Sequence, residues 1–379
     1  MATVVISGAL ANKPWNGGEA WVRLSWLLGF RKLGFDVHFV EEVRRPFEAN
    51  LAWFKQVTEQ LELAGAATLI DENGERLHGL ACADLLDLAG DADLLVNISG
   101  HLVSEPFFSR FRRKAYVDID PGFTQIWHAA GNPGARLRGH DFYFTIGENI
   151  GTPDCSIPVG DIAWRPTRQP VVLEHWPVVL GSDGPGVDGG RFTTVASWRG
   201  PYGPIEHGGR TLGLKVHEFR KLVELPERCR QEFEIALNIH PEDGKDLDLL
   251  RRHGWHIVDP RVVAPDPLAF RGYVQASRAE FSVAQGVYVE TGSGWFSDRT
   301  VRYLASGRPA LVQDTGFRRN LPVGEGLVPF RTLEEAVAGA ERIARDYESH
   351  RRAARALAEE FFDSDKVLGR LAEEVGIAP

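Results

Sequence analysis

The chain has 379 residues, 43 basic and 52 acidic, for a net charge of −9, with 43% hydrophobic and 25% charged residues. It is too long for one ordinary core and predicts two domains of about 150 to 200 residues each. The acidic balance disfavours general binding of nucleic acid or anionic lipid, and no run of about 18 apolar residues predicts a membrane span. The start, Met1 to Gly8, has no basic stretch ahead of its apolar residues and reads as a first strand instead of a signal peptide, so a cytoplasmic location is expected. Cys82, Cys155 and Cys229 are too few and too scattered for a disulfide framework or a thiolate site, and the 12 His show no metal-ligand spacing. No resident metal or cofactor is expected, apart from Mg²⁺ travelling with a nucleotide.

Thr3 to Ser7 is β-branched and apolar, as for a strand buried on both faces of a parallel sheet. A loop, Asn12 to Glu19, carries Gly17, Gly18 and Glu19; a helix from Ala20 to Leu33 stops at Gly34, and Asp36 to Val40 is the second strand. This order is a Rossmann-like opening, but it lacks Gly-x-Gly-x-x-Gly, so a dinucleotide is not the preferred ligand. Phe47 to Leu63 reads as a helix, and Thr68 to Leu77 as a hairpin turning at Glu72-Asn73-Gly74. Three more strands follow, Asp93 to Ile98, Lys114 to Ile119 and Asp141 to Ile146. Ligands of open α/β sheets bind beyond the carboxyl ends of the strands, where His101, Asp118 and Asp120 stand. Imidazole and carboxylate groups there are the acid/base candidates, with Asp-Pro-Gly after Ile119 also ordinary turn chemistry.

From Asn149 to Arg191 regular patterning fails; Pro153, Pro158, Pro166, Pro170, Pro177 and Pro185 mark an interdomain connection, assigned to residues 151–191 between domains 1–150 and 192–379. The second domain opens with the strand Phe192 to Ala196, followed by Ser197-Trp198-Arg199. Strands Phe233 to Leu237 and Trp255 to Val258 alternate with helices Asp246 to His253 and Pro267 to Ala276, and the tail from Leu333 to Ile377 is helical.

The stretch with most chemistry is Thr291 to Pro309. An apolar strand, Ala279 to Val283, leads through Gly292 and Gly294 into a helix with Val301, Leu304 and Ala305 at helix spacing. Ser297 is the expected N-cap, bonding the Thr300 amide, and Gly307 with Pro309 the stop. The amides of Trp295, Phe296, Ser297, Asp298 and Arg299 then meet at the positive end of the helix dipole, an anion site that the glycines let a phosphate approach. Arg199 offers a planar fork and Lys215 a point charge for the same anion, while Tyr288 is placed to stack on a base or sugar.

Ala305-Ser306-Gly307-Arg308-Pro309, with Asp314-Thr315-Gly316 after the next strand, resembles the C-terminal half of the GT-B nucleotide-sugar glycosyltransferases. The resemblance implies an α/β fold of two Rossmann-like domains facing a cleft. It implies hexosyl transfer from a nucleotide-diphosphate sugar, the co-substrate, to an acceptor held by the first domain. It implies donor contacts from Ser197, Trp198 and Arg199, and from the loop around Ser293 to Arg299, with Gly17, Gly18 and Glu19 shaping the site. Many retaining members carry two glutamates eight positions apart, where this chain has Gly294 and Arg302, which leaves Glu290, Asp298 or Arg299 to take those contacts. A nucleotide-sugar 2-epimerase of the same fold and a non-catalytic nucleotide-sugar or carbohydrate binder are the alternative readings.

Overall fold

Val4, Val5 and Ile6 are fully buried, so the strand Thr3–Ser7 (β1) is covered on both faces. Around it lie Asp36–Val43 (β2), Ala67–Asp71 (β3), Arg76–His78 (β4), Leu94–Ile98 (β5), Lys114–Asp118 (β6), Phe142–Thr145 (β7) and Trp164–Pro166 (β8). They form one sheet in the order β4-β3-β2-β1-β5-β6-β7-β8, parallel except for the β3–β4 hairpin. The strand β8 falls inside the stretch read from sequence as irregular. It is an edge strand, where Pro166 needs no ladder N–H.

A second sheet is built from Phe192–Ser197 (β9), then a separate hairpin of Ile205–His207 (β10) and Arg210–Leu212 (β11), then Phe233–Asn238 (β12), His256–Val258 (β13), Ala279–Ser282 (β14), Ala310–Gln313 (β15) and Leu327–Phe330 (β16). The order β13-β12-β9-β14-β15-β16 is wholly parallel. Phe192, Phe219, Phe233, Trp255, Phe281 and Phe330 fill its core as one aromatic cluster. In each sheet the strand order reverses beside the first strand, between β1 and β5 and between β9 and β14. Such reversals splay the following loops apart and open a crevice at the carboxyl ends.

This computed structural model describes residues 1–179 and 190–379. Two compact units emerge: unit 1 is Met1–Gly147, Pro158–Val172 and Asp363–Pro379, and unit 2 is Glu148–Ile157 and Leu173–Phe362. These borders differ from those read from sequence, since residues 148–157 leave for unit 2 and the chain end returns to unit 1. Pro185, within the stretch read as a connection, lies outside the described residues. Among the described residues no helix is long and apolar enough to cross a membrane.

The return of the chain end rests on close helix packing. The helix Gly17–Lys32 is buried almost all round, and at Gly29 an added Cβ would lie 2.5 Å from Leu368 Cδ1 and 2.9 Å from Ser364 Cβ of the helix Ser364–Val375. Lys32 pairs with Asp365 at 3.0 Å across the same contact. The loops at the carboxyl edge of unit 1 are fixed differently, by two consecutive buried acids at the end of β2. Glu41 accepts from the amides of Leu10, Ala11 and Asn12 at 2.8, 2.6 and 2.9 Å. Glu42 accepts from Val103 and Ser104 at 2.9 and 2.8 Å. Burial pushes the Glu41 carboxyl up to about 7, the three amides and Arg23 opposing.

Leu368→Ala is expected to cost about 2–5 kcal/mol by leaving a hole at a fully buried site. Gly29→Ala alone overpacks the same contact, and in the Leu368→Ala background its methyl enters the hole and the added cost shrinks to what the Ser364 contact leaves; denaturant unfolding of the four chains measures that coupling. Because the folded-state pKa of Glu41 is raised, its contribution is present below its ordinary value of 4.5 and is lost as pH rises through about 7. Glu41→Gln, neutral throughout, should therefore gain stability relative to wild type between about pH 5 and about pH 8, by roughly 3 kcal/mol. A flat difference across that range would show that Glu41 is not raised.

Candidate functional site

In unit 2 the glycine loop is held in place before it reaches the helix. The strand β14 does not run straight into the turn, as the sequence pattern suggested; a short helix, Gly286–Thr291, intervenes, and Gly292 ends it with φ +61. The Gly294 amide then donates to Thr315 O at 2.8 Å, and Thr315 Oγ1 donates to Trp295 O at 2.5 Å, joining the loop to the segment after β15. Asn149 locks both. Its Nδ2 donates to Gly292 O at 2.9 Å and Gly316 O at 3.1 Å, its Oδ1 accepts from Asn320 Nδ2 at 2.9 Å, and its own amide donates to Ser293 O at 3.1 Å. A Cβ at Gly294 would stand 2.9 Å from Asn149 Cγ, and one at Gly316 2.7 Å from Asn149 Nδ2, so both positions require glycine for space as well as for positive φ.

The helix Asp298–Ala305 starts at Ser297, whose Oγ accepts from the amide of Arg299 at 3.2 Å, one residue earlier than expected, and it ends at Gly307, φ +67, as expected. The Trp295 amide is taken by Ser293 Oγ at 3.1 Å. Of the five amides read as an anion site, those of Phe296, Ser297 and Asp298 find no protein acceptor among the described residues. They sit at the positive end of the helix, the arrangement that binds phosphate oxygens.

Several residues expected to touch a donor are instead structural. Trp198 is 2% exposed and gives its Nε1–H to Asp246 at 2.8 Å while packing on Phe219. Tyr288 is buried, stacked on Trp295 with ring centroids 4.4 Å apart, so its face is not open to a base. Ser293 is buried, its hydroxyl bonding Tyr288 O and the Trp295 amide. Arg299 is tied to fully buried Glu280 at 2.7 Å, to Val195 O at 2.9 Å and to Ser282 Oγ at 2.7 Å, pinning the helix start to β9 and β14. Asp298 pairs with buried Arg302 at 2.7 Å, and Glu290 with Arg210 at 2.6 Å, so neither stands unengaged in place of the glutamates. Arg199 is largely exposed, its fork on Asp243; Ser197 is exposed and Lys215 half-buried at the start of the helix Lys215–Arg220. With the nearby arginines so engaged, backbone amides and the helix dipole are what the loop itself offers to an anion.

In unit 1 the acid/base candidates separate. Asp118 is fully buried and accepts from Thr124 Oγ1, Gln125 Nε2 and Thr145 Oγ1, each at 2.7 Å, and from the Asp120 amide at 3.1 Å. Burial raises its pKa, the four donors opposing; it is a clamp on the loop after β6, not a proton acceptor for a substrate. His101 is pushed down to about 3, first by burial and then by the charges of Arg23, Arg136 and Lys13, so its ring is neutral at physiological pH and a weak base. Asp120, half-buried at the carboxyl end of β6, is the remaining candidate of the three. Gly17, Gly18 and Glu19 are not loop; they form the first turn of the helix Gly17–Lys32, whose cap Asn16 accepts from the Glu19 amide at 3.1 Å. Among the described residues no group of three or more His, Cys, Asp or Glu is arranged to hold a metal ion.

Asn149 was not singled out from sequence, because it stands in a stretch without periodicity; the one available signal was its placement right after the strand-like run Asp141 to Ile146. Glu41 and Glu42 were missed because the strand pattern was ended at Val40, although the run Val40-Glu41-Glu42-Val43 continues it.

No family model and no curated protein matches the chain at the sequence level. Solved structures match over its whole length. An α-glucosyltransferase in complex with UDP-glucose and DNA containing an abasic site superposes with a TM-score of 0.62 at 12% identity, covering 99% of each chain. HepE of Anabaena, in complex with UDP and glucose, gives 0.61 at 12% identity over 99% of this chain and 100% of its own. Sucrose-phosphate synthase of Thermosynechococcus elongatus gives 0.56 at 11% identity over 99% of both. The fold is that of the GT-B glycosyltransferases, with two Rossmann-like α/β units.

Proposed function

We propose that the protein transfers a glycosyl group, a hexose by analogy with its structural neighbours, from a nucleoside-diphosphate sugar to an acceptor hydroxyl or similar nucleophile. The observation that carries this reading is the set of unclaimed amides at Phe296, Ser297 and Asp298, on a loop fixed by Asn149 and Thr315. Breaking the glycosidic bond leaves negative charge on the departing diphosphate. Amides already held in position stabilise that charge without reorganising, which lowers the barrier more than the ground state. Support also comes from the solved neighbours, whose printed ligands include UDP, UDP-glucose and glucose. Ser197 and Lys215 supply further donor contacts, and Trp295 presents its half-buried ring beside the anion loop. In unit 1, Asp120 is the residue to act on the acceptor nucleophile, since Asp118 is saturated and His101 holds little affinity for a proton.

The test is calorimetric titration of the purified protein with UDP, dTDP, GDP and ADP, followed by release of the nucleoside diphosphate from the matching sugar donor. One diphosphate is expected to bind selectively; no binding of any would remove the reading. Gly294→Ala should weaken that binding roughly tenfold or more, because its Cβ displaces Asn149 and with it the loop. Asp120→Asn should lower turnover by about 10²–10⁴ with diphosphate affinity unchanged, and a full-rate variant would exclude Asp120 as the base.

A further inference from the structure

At the strand-order reversal of unit 1, three cations converge on one loop from three different elements. Gly8 follows β1, and a Cβ there would meet Arg23 Cγ at 3.1 Å and Ile98 Cβ at 3.4 Å, which places Arg23 of the helix Gly17–Lys32 over the junction of β1 and β5. Gly100 sits against Arg136, 2.8 Å from that residue's Cβ by the same measure. Lys13 is carried by the loop that Glu41 fixes, its amide bonded to Leu10 O at 3.1 Å. All three charges act on His101, with Glu19 the one carboxylate acting in the opposite sense.

The backbone is strained at this place. Trp15, Ser99 and Arg136 hold φ of +56, +55 and +52, a region that non-glycine residues enter at a cost of about 1–3 kcal/mol. Trp15 is also 56% exposed, unusual for so large an apolar side chain. Arg23 is 4% exposed and bonds Glu19 through Nη1, but its buried Nε finds no acceptor among the described residues, nor does the fully buried hydroxyl of Ser7 at the end of β1. Lys13 and Arg136 have no carboxylate partner among the described residues. Lys13 and Arg136, without carboxylates of their own, repel each other and Arg23, and an acidic protein has no general reason to assemble such a group.

We propose that this is an anion site for a phosphomonoester carried by the acceptor substrate, contacted by Lys13, Arg23, Arg136 and His101. The charges match. Three cations less the carboxylate of Glu19 leave two positive charges, and a phosphomonoester carries about −1.5 to −2 at neutral pH. Trp15 lies on the same loop as Lys13 and offers an exposed face to the sugar or ring that bears the phosphate. Assignment of the phosphate to the acceptor rests on the glycosyl-transfer reading; the anion site does not.

The experiment follows the His101 ring by NMR in the full chain, its resonance identified by loss in His101→Gln, during titration with inorganic phosphate and, separately, with UDP. An anion placed among the three cations offsets them, so phosphate should raise the apparent pKa of His101 and bind saturably. Lys13→Gln together with Arg136→Gln should weaken phosphate roughly a hundredfold, about tenfold per charge, and leave UDP affinity unchanged. Lys13→Gln alone serves the same purpose at about tenfold should the double variant not fold. No response of His101 to saturating phosphate overturns the site. Parallel loss of UDP and phosphate affinity assigns it to the donor diphosphate and overturns the acceptor assignment. Failure of wild type to bind any of UDP, dTDP, GDP and ADP while phosphate still shifts His101 upholds the site and removes the transfer reading.

Discussion

The carboxamide of Asn149 is the interaction on which the anion loop depends. A side-chain amide has two donors and one acceptor oxygen, and here both donors go to loop carbonyls of Gly292 and Gly316 while the oxygen takes the Asn320 amide. Those carbonyls belong to two loops that follow different strands, so a single 3%-exposed group sets their spacing. Once that spacing is set, the Gly294 and Thr315 bonds close, Ser293 takes the Trp295 amide, and the next three amides find no acceptor among the described residues. A site that must bind charge quickly and weakly enough to release it is better made from fixed amides than from mobile cations, since fixed dipoles do not have to be ordered at the moment of binding.

Unit 1 fixes its loops with the opposite chemistry. There the loop amides of Leu10, Ala11 and Asn12 are already occupied by the internal carboxylate of Glu41, and those of Val103 and Ser104 by Glu42. These five backbone donors are engaged inside the protein, and the cations at the sheet edge are the side chains of Lys13, Arg23 and Arg136. Two units of the same doubly wound plan thus differ in whether the backbone or the side chains face an anion. The difference traces to two consecutive acids at the end of β2, for which the equivalent strand of unit 2, β12, ends in Leu237 and Asn238.

Much of the fold was legible because its signals are local. β1, β5, β6, β7, β9, β12, β14 and β15 are short apolar runs bounded by turn residues, and Gly307 ends its helix as Gly-x-Pro suggests. The site was legible as a segment, Thr291 to Pro309, but not residue by residue. Arg299, Arg302, Trp198 and Asp118 have side chains that suit ligands, and only their partners, Glu280, Asp298, Asp246 and Thr124 with Gln125 and Thr145, show that they are consumed inside the protein. Those partners stand up to 48 positions away, a separation at which composition and periodicity carry no information. Asn149 was invisible for the same reason, its two acceptors being 143 and 167 positions distant.

The assignment of Asp363–Pro379 to unit 1 has a consequence for how the chain comes to be folded as it is made. During synthesis β1 to β8 come first, and the helix Ser364–Val375 that covers Gly29 follows only after all of unit 2. Until then the outer face of the helix Gly17–Lys32 is an uncovered apolar surface on a unit whose sheet is already complete. Unit 2 has most of its chain in one continuous stretch and can close during synthesis, whereas unit 1 completes its packing only after unit 2 has been made.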